Sequence, residues 1–136
     1  DDRVLELGAG GGTVAAALPP CRLTLVELEP RLALSLRQRF PNAAVLQEDA
    51  LEVLGRTEAD VILSNLPHAL TRGVLETLRR KTFKRALVAV HAEDDEAQLR
   101  KFLGQPFKLT PLFDLAETDF TPPQPFRSRV LHVTPS

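Results

Sequence analysis

Four groups of residues have types and spacings suited to chemistry. Gly8, Gly10 and Gly12 alternate through Glu6-Leu7-Gly8-Ala9-Gly10-Gly11-Gly12-Thr13, directly after a short apolar run. Glycine permits positive φ and, without a Cβ, lets a ligand lie close to the backbone. A helix starting just beyond such a turn offers unpaired N–H groups to a polar or anionic ligand. Glu27 follows Gly8 by 19 positions, near the ~20-residue offset at which an acid accepts from ribose hydroxyls in nucleotide-binding folds. An ionised carboxylate is acceptor-only and can take both O–H groups of a diol. Asp49 is a further acceptor one strand along. Asn65-Leu66-Pro67-His68 places an amide acceptor on a loop stiffened by proline, followed by a ring able to stack on a base.

Each group also has a plainer use. Glycine turns serve packing, and an acid before Pro30 caps a helix, a role that suits Glu29 better than Glu27. Asp49 can be an ordinary N-cap, and Asn with Pro is common turn chemistry. His91 and His132 read as structural. No set of His, Cys and acidic side chains has metal-ligand spacing, so no metal is expected.

These residues need elements to hold them on one side of a sheet. Residues 3–7 predict a strand and 12–18 a short helix stopped by Pro19-Pro20. Residues 22–29 predict a strand buried on both faces, and Pro30 opens a helix striped by Leu32, Leu36 and Phe40. Strands follow at 43–47 and 60–64, with a helical turn between them through Leu54. Leu70, Val74 and Leu78 mark a helix ending in Arg79, Arg80 and Lys81. After a strand at 86–90, Leu99, Phe102 and Leu103 form the core face of a helix stopped by Gly104. Two closing strands are expected at 108–116 and 129–133, joined through an extended Thr121-Pro122-Pro123-Gln124-Pro125. The alternation implies an α/β, Rossmann-like fold: a mostly parallel seven-stranded sheet with an antiparallel edge pair and helices on both faces. Parallel strands end along one rim, and the glycine turn, Glu27, Asp49 and Asn65 all fall there.

Composition bounds the rest. The 136 residues fit one domain, and a net charge of −1 argues against a strongly basic nucleic-acid module. The cationic run Arg79, Arg80, Lys81, Lys84 and Arg85 reads as a solvated helix end, with contact to RNA phosphates as the alternative. No apolar run nears the ~20 residues of a membrane helix, no signal peptide is visible, and Cys21, expected to be buried at a strand start, suits a reducing interior. A cytoplasmic monomer without membrane attachment is expected.

Thr13 stands where the dinucleotide fingerprint wants its third glycine, which disfavours nicotinamide and flavin. The acid followed by alternate glycines resembles instead the first motif of class I S-adenosyl-L-methionine (SAM) dependent methyltransferases, and Asn65-Leu66-Pro67-His68 resembles the Asn-Leu-Pro-aromatic element of amino methyltransferases. Together with Val26-Glu27-Leu28-Glu29, Glu48-Asp49-Ala50 and the late Asp119 to Val130 segment, these motifs resemble the ribosomal RNA adenine N6-dimethyltransferase family over nearly the whole chain. The resemblance implies that Glu6, Gly8, Gly10, Gly12, Glu27, Asp49, Ala50 and Asn65 hold SAM, while Asn65, Leu66, Pro67 and His68 hold the target amine of an RNA adenine. Members of that family carry an upstream segment that closes over the cofactor and, in many, a helical C-terminal domain; residues 1–136 are expected to be a single methyltransferase domain lacking both. Position 68 is usually Tyr or Phe in the family and is His here. Transfer to another amine, or a non-catalytic relative that binds RNA or protein, are the alternatives.

Overall fold

The computed structural model describes residues 2–119 and 125–136. Most of the expected proline-rich connection, 121–124, therefore lies outside the described residues, as does Phe120 of the tail motif.

Strand β1 (Arg3–Leu7) is buried from Val4 onward on both of its faces, the pattern of a central parallel strand. β2 (Arg22–Val26) and β3 (Ala44–Leu46) lie on one side of it, and β4 (Val61–Ser64) and β5 (Arg85–His91) on the other. These five strands are parallel. β6 (Phe107–Leu115) and β7 (Ser128–Pro135) complete the order β3-β2-β1-β4-β5-β7-β6. β7 is inserted antiparallel between β5 and β6, so the last strand of the chain is internal and β6 forms the edge. Pro111 is tolerated in β6 because an edge strand need not donate every N–H, and the register shifts just beyond it.

Helices cover both faces. α3 (Ala50–Arg56), α4 (Thr71–Leu78) and α5 (Glu96–Leu103) bury Val53, Leu54, Val74, Leu75, Leu78, Leu99 and Leu103 against Leu5, Leu7, Ile62, Val88 and Leu131. Each fully buried side chain of this kind contributes about 1.5–3 kcal/mol. On the opposite face α1 (Thr13–Ala17) and α2 (Pro30–Arg39) enclose a smaller cluster of Ala9, Ala15, Leu25 and Leu36. Because these two helices reach only the β1–β3 side, the same face over β4, β5 and β7 shows Leu63, Leu87, Ala89 and Val130 to a cavity instead.

Three details differ from expectation. β2 ends at Val26, three residues early, because the Glu29 N–H turns back to the Glu27 carboxylate at 3.0 Å and Glu29 then caps α2 through the Leu32 N–H at 2.8 Å. The buried stripe of α2 runs through Ala33 and Leu36, leaving Leu32 37% exposed. Cys21 is half-buried rather than buried, and it is unpaired.

Candidate active site

Parallel strands bring their carboxyl ends to one rim, and in order along it stand Asp49 after β3, Glu27 after β2, the glycine turn after β1 and Asn65 after β4. The strand order reverses between β1 and β4, where open α/β sheets form their crevice.

The glycine turn is built by backbone. Gly8 and Ala9 both donate to the Val26 carbonyl, at 2.9 and 3.1 Å, so the turn stays tied to β2 after β1 has ended. Gly8, Gly10 and Gly12 have φ of 75°, 56° and 83°, the left-handed region that glycine enters freely. At Gly8 space is also decisive: a Cβ there would lie 2.6 Å from the Asn65 carbonyl oxygen. Nothing lies within 4 Å of a Cβ built at Gly11, and the nearest atom to one at Gly10 is 4.0 Å away. The loop therefore packs tightly where it meets β4 and is open on its outer side.

Glu27 is oriented from two directions. Its Oε1 accepts from the Gly10 N–H at 2.8 Å and its Oε2 from the Glu29 N–H at 3.0 Å. The half-buried carboxylate is thus fixed beside the glycine turn with acceptor capacity left over. Asp49 is exposed and takes the N-cap role, accepting from the Glu52 N–H at 3.0 Å. Ala50 begins α3 directly beside it.

Glu6 is 4% exposed, yet its Oε1 has no hydrogen-bond partner among the described residues. Burial pushes its carboxyl up to about 7. It borders a cavity of about 290 Å³ that Val14, Leu63, Leu87, Phe113 and Val130 make apolar, and Ser64 and Asn65 line the same space. A buried acid without a donor is costly, so this one is suited to a ligand donor or cation.

The acceptor loop follows β4. Asn65 is exposed, its N–H held by the Leu7 carbonyl at 3.1 Å. The Pro67 carbonyl is taken by the Leu70 N–H at 2.9 Å, whereas the Leu66 carbonyl receives no backbone donor among the described residues. The Asn65 amide oxygen and the Leu66 carbonyl are therefore the acceptors this loop leaves open among the described residues. His68 opens a 3-10 turn (His68–Leu70). Its ring packs edge-on against Phe126 at 4.3 Å and against His91 at 5.2 Å, and its Nδ1 is buried without a partner among the described residues. Burial first, then the nearby His91, pushes this imidazole below its usual range, against the opposing pull of Asp94.

Phe126 and His91 belong to this end of the rim, and the sequence did not single them out as site residues. Phe126 and His91 are stacked at 4.8 Å and 29°. The available signal was that His91 ends β5 and Phe126 precedes β7, which the antiparallel pairing brings to the same edge. Arg79, Arg80, Lys84 and Arg85 are exposed and lie at the far end of the strands. Among the described residues no group of three His, Cys, Asp or Glu side chains is placed to hold a metal ion, and no helix is long and apolar enough to cross a membrane.

No family model matches the chain. It is 32% identical over 138 aligned residues to the ribosomal RNA small subunit methyltransferase A of Thermotoga petrophila, an alignment covering 90% of this chain and 53% of that protein. The chain thus spans about half the length of the curated relatives it matches. Its fold superposes with a TM-score of 0.88 on a dimethyladenosine transferase from Plasmodium falciparum, at 21% identity over 100% of this chain and 56% of the other. A 23S rRNA methyltransferase, ErmE, gives a TM-score of 0.80 at 22% identity, covering 100% of this chain and 62% of that one. In strand order and in sequence, the chain is a class I methyltransferase-fold domain that resembles the ribosomal RNA adenine N6-dimethyltransferases.

Proposed function

We propose that the chain is the catalytic domain of a SAM-dependent methyltransferase whose acceptor is the exocyclic N6 amine of an adenine in RNA, with ribosomal RNA as the substrate class. The observation that carries this reading is the contact between two loops. The Asn65 carbonyl packs where any side chain at position 8 would stand, so the amine-holding loop and the glycine turn form one crevice. The likeness to a ribosomal RNA methyltransferase at 32% identity supports the RNA acceptor, which would place the reaction in the cytoplasm.

The residues present fit an adenosyl cofactor. Glu27, already oriented by the Gly10 N–H, has acceptor capacity for the ribose hydroxyls. The open outer side of Gly10 and Gly11 admits a ligand against the backbone. The unpartnered Glu6 carboxylate suits the ammonium of the amino-acid end, since it requires a donor. Asp49 caps α3 through Oδ1 and can still accept from an adenine amine through Oδ2. SAM supplies an electrophilic methyl on a sulfonium.

An exocyclic adenine amine is a poor nucleophile because its lone pair is delocalised into the ring. The Asn65 amide oxygen and the Leu66 carbonyl, both aimed at its hydrogens, favour a pyramidal nitrogen and align the lone pair for in-line attack. Pro67 keeps these acceptors in place. His68, packed edge-on against Phe126, supplies a flat ring at the mouth of the crevice. Labelled methyl transfer from SAM to ribosomal RNA tests the assignment. The reading expects transfer to be lost in Asn65→Ala while SAM affinity persists, and full turnover by that variant overturns it.

A further inference from the structure

A cavity of about 470 Å³ lies beyond the acceptor loop and plays no part in the chemistry above. It is formed where β5 and β6 end and β7 begins, and His91, Phe126, Arg127, Glu93, Asp114 and Glu117 line it. We propose that this cavity is a subsite for the nucleotide flanking the target adenine in single-stranded RNA, its base stacking on the Phe126–His91 ring pair and its phosphate meeting Arg127. The proposal rests on the RNA acceptor proposed above and extends that site by one nucleotide.

Four observations carry it. The volume falls within the range of small-ligand sites. The ring pair is stacked, and Phe126 also touches His68 at 4.3 Å, so the platform adjoins the acceptor loop itself. The two guanidinium groups are in different states. Arg129 is held by Asp114 through bonds of 2.8 and 3.2 Å, whereas Arg127 is 62% exposed at its side chain and only 4.0 Å from the same carboxylate. Arg127 is thus the cation left to meet a phosphate. Finally, the Glu93 and Glu117 carboxylates take no hydrogen bond or ion pair among the described residues. They are acceptors facing a base-sized space, suited to the N–H donors of a base edge. Aromatic platforms beside arginine are a general solution for holding single strands.

Fluorescence anisotropy with short labelled single-stranded RNAs tests this. Each RNA carries one central adenine and either an intact neighbour or an abasic neighbour on the 5′ or 3′ side. Removing the base on one side is expected to weaken binding by the protein about tenfold, within the range measured for loss of one stacked base. Phe126→Leu, which keeps apolar volume without the ring, is expected to show a similar loss on the intact RNA and no further loss on that abasic RNA. Arg127→Gln is expected to lower the salt dependence of log affinity by about one phosphate contact. SAM affinity, measured in parallel, is expected to stay unchanged in both variants and confirms that they fold. Wild-type affinity of Phe126→Leu for the intact RNA, or an equal loss on intact and abasic RNAs, overturns the subsite while leaving the RNA reading in place. Failure of the wild-type protein to bind any of the RNAs while it binds SAM removes the RNA acceptor and the subsite together.

Discussion

Replacing Glu6 by glutamine should change how stability depends on pH. Glu6 is 4% exposed, has an unpartnered Oε1, and titrates at about 7 in the folded protein against an ordinary 4.5. Its folded-state value is raised, so the folded protein binds the proton more tightly than the unfolded chain does. Stability must therefore fall as pH rises from 4.5 through about 7, and it levels off above that. The difference of about 2.5 units corresponds to roughly 3 kcal/mol, at 1.36 kcal/mol per unit. Glutamine is neutral throughout, so Glu6→Gln should gain about 3 kcal/mol relative to the wild type between the acidic and alkaline ends of that window. Urea denaturation at a series of pH values reads both curves. Parallel curves, or a wild type that gains on the variant with rising pH, would show that Glu6 is solvated or already paired and that no donor is wanted there.

Three further outcomes follow from local geometry. Alanine at Gly8 adds a steric clash 2.6 Å from the Asn65 carbonyl to the left-handed strain, whereas at Gly10 only the strain applies. Gly10→Ala should cost about 1–2 kcal/mol and Gly8→Ala at least about 2 kcal/mol more, measured by chemical denaturation. The Arg3 guanidinium, then the Arg3 N–H, hold the Asp60 carboxyl down at about 2, so Asp60 contributes stability that is present above 3.8 and lost as pH falls towards 2. Arg3→Ala should flatten that acid limb in circular dichroism. Asp49→Ala removes the α3 cap and should cost about 1 kcal/mol without cofactor and more in the presence of SAM, the excess measuring the adenine contact; an equal loss in both conditions would leave Asp49 with the capping role alone.

The strands and their order of appearance were legible because the glycines, prolines and short apolar runs punctuate the chain at nearly every element boundary. β1 was read to the residue, since Arg3 and the glycine turn bracket it. The overrun of β2 has a side-chain cause: Glu27 and Glu29 form hydrogen bonds that no periodicity encodes. The placement of β7 inside the sheet is a tertiary outcome, because adjacent strands at the end of a chain give an antiparallel pair whichever of the two takes the edge. At the site, residues punctuated by glycine or proline stood out, whereas His91 and Phe126 did not, because they become neighbours only when β7 pairs with β5. The unpartnered state of Glu6 was likewise invisible, since an acid before a glycine turn says nothing about what covers it.

The central claim is that the rim residues form one adenosyl site with Glu27 as the ribose acceptor. Calorimetric titration of the protein with SAM, and with its demethylated product, tests this most directly. Saturable binding that weakens at least about tenfold in Glu27→Ala, in line with the loss of a charge-assisted hydrogen-bond pair, is the predicted result. Unchanged affinity in Glu27→Ala, or no binding by the wild type, would contradict it.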